Sequence, residues 1–251
     1  FQFLIIIIYY IFMDNITTKN ENNIINFYNN NNPISPWNDI SLKISIKQYY
    51  SDFDNSYNKS LLDNEYLYNF ICEIPKWTRK KYEINKEHKY HSIIQDTINN
   101  KPREYDYGDI FFNYGALPQT FEDPNVISKL TNLKGDNDPL DVIEIGLKQI
   151  KVGEIKQVKV LGIIPFIDDN ETDWKVIAIS TDDILFDKLN NINDVEREIP
   201  NLLNSIINWF VNYKKNINII NYIGMNGKIQ DKDLAEEIIN ENYLLWKKYH
   251  S

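Results

Sequence analysis

Three aspartates crowd the stretch KGDNDPLDVIEIG, residues 134–146. Asp136, Asp138 and Asp141 lie within six positions, directly ahead of the apolar run Val142-Ile143-Glu144-Ile145. In a regular strand Asp136 and Asp138 share a face and Asp141 falls opposite. Pro139 breaks that regularity, because it fixes its own φ and donates no ladder hydrogen bond. A bend there brings Asp141 round to the same point in space. Converging carboxylates repel one another unless a cation joins them, and a hard divalent ion such as Mg²⁺ takes oxygen ligands. The plainer alternative is a solvated acidic turn. An EF-hand is excluded: counted from Asp136, Leu140 stands at the fifth position and Asp141 where the loop glycine belongs. An aspartyl nucleophile in a D-x-D arrangement fits poorly, since the polar TNLKGDND precedes instead of a buried strand.

Other charged groups recur along the chain. FIDDNETDWKVIAI carries Asp168, Asp169, Glu171 and Asp173, then Lys175; alone it reads as a hairpin turn. CEIPKWTRKKYEI sets Lys81 and Glu83 on one strand face with Glu73 nearby, which alone reads as an amphipathic surface strand. Arg103 lies in KPREYDYG and Tyr114 in FNYGALPQTFEDP. Tyr213-Lys214 ends an amphipathic segment, where the helix dipole favours a cation. The single cysteine, Cys72, excludes an internal disulfide and reads as a small buried hydrophobe in a reducing compartment.

The elements that must position these groups change character along the chain. From 66 to 185, short β-like runs are broken by turn residues: 66–74, 80–84, 141–146, 154–167 and 174–180. They lie close together with no long helical crossover, which predicts a mostly antiparallel, curved sheet or small barrel. Residues 194–215 carry Leu202, Leu203, Ile206, Ile207, Phe210 and Val211 at helical spacing, and 231–250 repeat the pattern behind a candidate N-cap, Asp231. The expectation is one domain, mainly β, with helices packed on the barrel. Residues 1–40 read as an Asn-rich, low-complexity extension, with 14–38 disordered or loosely draped, ahead of a domain at 41–251. Residues 1–12, FQFLIIIIYYIF, are too short to cross a bilayer as a helix; Met13 is the expected start, and a truncated targeting segment is the alternative. The net charge of −9 disfavours nucleic acid and anionic membranes as partners and suits metal binding or plain solubility, while the single cysteine and the lack of a spanning segment lead to the expectation of a cytoplasmic protein.

Taken together the motifs resemble the soluble family I inorganic pyrophosphatases of the eukaryotic type. EIPKWTRKKYEI, IIQDT, NYGALPQTFEDPN, GDNDPLDVIEIG, QVKVLGI, ETDWKVIAI and NWFVNYK occur in the family's order, from about 66 to 215. The resemblance implies an OB-like five-stranded β-barrel with flanking helices, in a homodimer, with Trp77 placed either in that interface or in the core. It implies Mg²⁺-dependent hydrolysis of pyrophosphate by in-line attack of a metal-bridging water, with no covalent intermediate, at about three to four Mg²⁺ per site.

By the same resemblance Asp136, Asp141 and Asp173 hold the first metal and Asp141 reaches the second. Asp168 and Glu83 serve further metals, and Glu73 lines the site. Asp138 matches the general base. Lys81, Arg103, Tyr114, Lys175, Tyr213 and Lys214 match the groups that grip phosphate, with Arg103 and Tyr114 also counted as catalytic. The seven named acids outnumber the four named bases, so a bare site would repel a polyanion and bound Mg²⁺ would reverse its sign. The family usually has a tyrosine four residues before Tyr114; here that position is Ile110, and Tyr107 is the expected substitute. An inactive metal-binding scaffold of the same fold is the alternative function, and other phosphoanhydrides are a side possibility. All the named acids and bases being present argues against the scaffold.

Overall fold

The computed structural model describes residues 16–45, 66–214, 219 and 221–250. The expectations for residues 1–12 and Met13 lie outside the described residues.

The Asn-rich stretch is folded from residue 16 onward, against the expectation of a draped tail. Ile16–Glu21 (β1), Ile24–Asn29 (β2) and Asn32–Ile34 (β3) form an antiparallel meander. Its two turns are Asn22-Asn23 and Asn30-Asn31, all four residues at positive φ. Asparagine visits the left-handed region more cheaply than most residues, and two such residues in a row make the tight turn whose twist suits a hairpin. The composition that looks like low complexity therefore supplies turn chemistry. Phe27, Trp37 and Ile40 from this stretch are buried, in one apolar cluster with Ile71, Ile84 and Phe121.

Lys43–Ser45 (β4) pairs with Tyr66–Ile74 (β5), the first long strand. Tyr82–Ile84 (β6) and Ile93–Gln95 (β7) extend the meander's sheet through β2, and Thr97–Ile98 (β8) with Lys101–Pro102 (β9) forms a small hairpin. Asn113–Ala116 (β10), Asp141–Glu144 (β11), Ile155–Asp168 (β12) and Glu171–Ser180 (β13) complete the main sheet, with Tyr222–Ile223 (β14) at one edge. Pairing runs from β5 to β10, β11, β13 and β12, and the start of β12 pairs back to β5 at Ile155↔Ile71. Five strands thus form the barrel-like unit, as expected, and all its pairs are antiparallel except β11 with β13. Gly115 allows the β10–β5 contact: a Cβ there would stand 2.0 Å from the Ile71 carbonyl oxygen.

The strands are apolar on both faces because each face is covered. Val142 and Val176 belong to the cluster that also holds Ala235, Ile238 and Ile239, while Ile143 and Ile177 pack with Ile206, Trp209 and Phe210. Those covers are helical. The single helix expected over 194–215 is two, Ile192–Glu198 (α1) and Leu202–Asn212 (α2). Pro200 disfavours helical conformation at Ile199, and Asn201 takes φ 67 between them. The last helix, Lys232–Tyr249 (α3), starts as expected at Asp231, whose carboxylate accepts the Leu234 N–H at 3.0 Å. Cys72 is fully buried, and burial pushes its thiol up. Trp77 is 63% exposed, so the core placement considered for it is wrong. Among the described residues no helix is long and apolar enough to cross a membrane.

Candidate active site

One end of the barrel opens into a cavity of about 290 Å³. All thirteen residues singled out from the sequence line it: Glu73, Lys81, Glu83, Arg103, Tyr114, Asp136, Asp138, Asp141, Asp168, Asp173, Lys175, Tyr213 and Lys214. The register explains much of this. Asp141 of β11 and Lys175 of β13 are direct partners across the parallel pair, and Asp141 also faces Ala116 of β10. Tyr114 stands two residues from Ala116, and Asp173 two residues from Lys175, so period-two alternation puts both on the same face.

The four side chains meet in a knot. The Lys175 ammonium lies 2.8 Å from Asp141 Oδ2, 2.7 Å from Asp173 Oδ1 and 2.9 Å from the Tyr114 hydroxyl. Tyr114 in turn donates to Asp141. Lys175 is 2% exposed; burial alone would lower it, but Asp141 and Asp173 hold it well above the usual lysine range. Asp173 is pushed up to about 7, because burial outweighs the pull of Lys175. Burial, then Asp141, raises the Tyr114 phenol.

The GDND loop supplies a second group. Asn137 takes φ 72, and the Asp138 N–H closes a turn onto Asp136 Oδ1 at 3.0 Å. Pro139 follows, and Asp136, Asp138 and Asp141 all reach the cavity as the bend was expected to arrange. Asp136 is raised by burial and then by Asp173. Asp138 has the more open carboxylate, its side chain 52% exposed, and it accepts from the Lys86 ammonium.

The remaining groups come from hairpins and a helix end. The β12–β13 turn, Asp169-Asn170, repeats the paired positive-φ geometry of the asparagine turns. It is a hairpin, and it also carries Asp168 to the cavity. There Asp168 accepts from Lys214 at 2.6 Å and Tyr213 at 2.9 Å, where α2 ends. On β6 and its approach, Lys81 bonds Glu83 at 2.6 Å. Burial acts to lower Lys81, yet Glu83 leaves it raised. Glu73 is buried and accepts the Ile84 N–H at 2.7 Å; burial and then Asp141 push it well up. Arg103 is held by Asp96 at 2.8 Å.

Four residues of this neighbourhood were not singled out from the sequence. Glu122 is 3% exposed behind Asp136 and Asp173, and one oxygen of each of the three lies within 4.8 Å of the others. Its Oε1 accepts the Trp174 N–H at 3.1 Å, and its Oε2 has no protein partner. Lys86 donates to Asp138, and Asp96 accepts from Arg103. Tyr105 lines the cavity. Glu122 lies in FEDP and Asp96 in IIQDT, inside stretches that carried the resemblance, but no spacing tied either to the aspartates. Tyr107 does not fill the place of the missing tyrosine: it is 45% exposed and outside the cavity lining, while Ile110 is buried in the core.

The inorganic pyrophosphatase family model matches residues 70–247. The chain belongs to the inorganic pyrophosphatase family. An inorganic pyrophosphatase of Debaryomyces hansenii is 42% identical over 224 residues, spanning 87% of this chain and 72% of that protein. One from Candida albicans is 48% identical over 187 residues, spanning 72% of this chain and 65% of that one. Among solved structures, the Trypanosoma cruzi vacuolar soluble pyrophosphatase, truncated at its N-terminal domain and bound to PPi, superposes with a TM-score of 0.83 at 39% identity. That match covers 94% of this chain and 90% of the other. The pyrophosphatase family is one of enzymes, and the carboxylate-lined cavity is where this member's chemistry is to be sought.

Proposed function

We propose that this chain hydrolyses inorganic pyrophosphate to two orthophosphates, in a Mg²⁺-dependent reaction without a covalent intermediate. The observation that carries the reading is the knot of Asp141, Asp173, Lys175 and Tyr114, with three further carboxylates, Asp136, Asp138 and Asp168, lining the same cavity. A cavity with so many acids beside lysine and arginine suits cations and a phosphate polyanion together.

The residues fit a hard divalent ion. Asp136, Asp173 and Glu122 converge with one buried carboxylate oxygen left unpartnered, and the donor set is oxygen throughout. Asp136, Asp141, Asp173, Asp168, Glu83 and Glu73 would hold Mg²⁺, at about three to four ions per site. Bound Mg²⁺ would supply charge neutralisation for the substrate and a lowered pKa for the attacking water. Asp138, its side chain 52% exposed and next to those carboxylates, would accept the proton of the attacking water. Lys81, Arg103, Lys175 and Lys214 with Tyr114 and Tyr213 grip the phosphoryl oxygens and meet the charge that grows on the departing phosphate.

Trp77, exposed and held at φ 63, is the residue we place in a homodimer interface. One buried cysteine and an acidic surface accord with the cytoplasm. The test of function is phosphate release from pyrophosphate, with Mg²⁺ titrated from zero and Ca²⁺ added as competitor. Release that needs Mg²⁺ and is blocked by Ca²⁺ is expected. A folded sample that releases nothing at any Mg²⁺ concentration would overturn the proposal.

A further inference from the structure

Tyr105 and Tyr107 sit two residues apart in REYDYGD and meet opposite fates. The chain turns here, with the Gly108 N–H donating to the Tyr105 carbonyl at 3.3 Å. The Tyr105 N–H is tied to the Arg79 carbonyl at 2.8 Å, one step beyond the Lys80↔Glu104 bridge. That anchorage directs Tyr105 inward, 8% exposed, while Tyr107 remains 45% exposed. The Tyr105 ring meets Trp209 edge-on at 4.9 Å and Tyr213 edge-on at 5.7 Å. Those two residues stack on each other at 5.0 Å along α2. Two ring contacts and one backbone bond therefore fix the phenol as one wall of the cavity.

We propose that the Tyr105 hydroxyl is a further phosphate-binding donor of this site, a role no sequence motif gives it. The proposal rests on the reading of the cavity as a pyrophosphate site. Tyr105 shares that cavity with Lys81, Arg103, Lys175 and Tyr213, four of the groups assigned to phosphate. Lys81, Lys175 and Arg103 are near enough to act on its hydroxyl electrostatically, and Asp141 acts in the opposite sense. Burial pushes the phenol up to about 12, so it stays protonated and can donate. A fixed neutral donor among cations suits an oxyanion: it adds a hydrogen bond and costs little reorganisation. Ile110, at the position where a tyrosine was expected, is 1% exposed and offers no hydroxyl.

The test compares Tyr105→Phe with Tyr107→Phe and wild type. Tyr105→Phe keeps the ring and its packing and removes only the hydroxyl. Steady-state kinetics on pyrophosphate with Mg²⁺ are measured beside the inhibition constant of imidodiphosphate, a non-hydrolysable analogue, and the melting temperature. We expect kcat/KM to fall by about tenfold or more, the size of one lost hydrogen bond to a charged group. The imidodiphosphate constant should rise in parallel, with the melting temperature unchanged and Tyr107→Phe behaving as wild type. Wild-type kinetics in Tyr105→Phe would overturn the proposal. So would a loss of activity matched by a fall in melting temperature, which would make the residue a packing group. Should wild type bind imidodiphosphate and not hydrolyse pyrophosphate, the function reading fails; weaker analogue binding by Tyr105→Phe, read by calorimetry, would still support the hydroxyl's role.

Discussion

Asp173 gives the site a pH signature that can be worked out in advance. It lies buried between Lys175 and a crowd of carboxylates, and its folded value is about 7 against the usual 3.8. A raised carboxylate binds its proton more tightly folded than unfolded. Its contribution is therefore fully present below about pH 4 and is lost as pH rises through about 7. From pH 5 to 7 the slope approaches about 1.36 kcal/mol per unit and then falls off as the folded carboxyl reaches half-titration, so the loss is roughly 2.3 kcal/mol. For a chain of this size that is a fall of roughly 5–10 °C in melting temperature. His91 and His250 are lowered by burial and act in the opposite sense near pH 6, so the measurement must be a difference. Asp173→Asn removes this titration, relieves Asp136 and Glu122, which Asp173 helps to raise, and leaves both histidines, so the difference reads the acidic cluster around Asp173. Lys175 stays charged across the range, so its lost partner adds only a constant offset. In EDTA, thermal melts from pH 5 to 8 should show wild type losing stability relative to Asp173→Asn. Adding Mg²⁺ should restore wild type most at pH 8, where the carboxylates are free of protons. Parallel melting curves for the two proteins across pH 5–8 in EDTA would show that Asp173 does not titrate in this window.

Four further outcomes are expected. Asp138→Asn should keep its circular dichroism and melting temperature while turnover of pyrophosphate falls about 100-fold or more. Lys175→Met leaves buried Asp173 and half-buried Asp141 without their cation; urea denaturation in EDTA should show a loss of roughly 3–5 kcal/mol, larger at pH 8 than at pH 5. Gly115→Ala would drive a Cβ to within 2.0 Å of the Ile71 carbonyl oxygen and 2.8 Å of the Glu73 nitrogen. Both obstacles are backbone, so the expected cost is about 3 kcal/mol or more, seen as a lowered midpoint or an unfolded spectrum. Trp77→Glu should shift the sedimentation coefficient from dimer to monomer, with the melting curve of the monomer intact.

How far these features were legible depends on whether neighbours in sequence decide them. The strands β5, β12 and β13 are continuous apolar runs because helices and strands cover both their faces, and such runs are visible in one dimension. Asp231 caps α3 through a bond three residues away, also local. The GDND loop announces itself because like charges that close need a reason, and Pro139 supplies the bend. Other features depend on distant partners. Glu122 becomes part of the acidic cluster only because the Asp138 carbonyl accepts its N–H and β13 passes beside it. Lys86 reaches Asp138 across 52 positions. Two local signals outweigh composition and spacing. Pro200 should end a helix whatever the apolar spacing around it, and paired asparagines at 22–23 and 30–31 are hairpin turns as readily as they are low complexity. Tyr105 and Tyr107 differ by one turn that no periodicity distinguishes.

The ion pairs of the site suggest how metal and substrate binding are joined. Lys175 is committed to Asp141 and Asp173, Lys214 to Asp168, Lys81 to Glu83, Lys86 to Asp138 and Arg103 to Asp96. Each base that would grip phosphate already neutralises an acid, and most of these acids are the ones that would hold cations. A polyanion entering alone would have to pull Lys175 and Lys214 from their carboxylates and leave those acids uncompensated in a confined space, which is costly. Cations held by Asp141, Asp173 and Asp168 would remove that cost, because the carboxylates would keep a counter-charge and the lysines would be free to turn toward the phosphates. Arg103 stands apart, since Asp96 is not among the residues facing the cavity and can hold the guanidinium in place throughout. If the proposed function holds, Mg²⁺ should therefore be needed for the apparent affinity for pyrophosphate as well as for turnover, and the KM for pyrophosphate should fall as Mg²⁺ is raised.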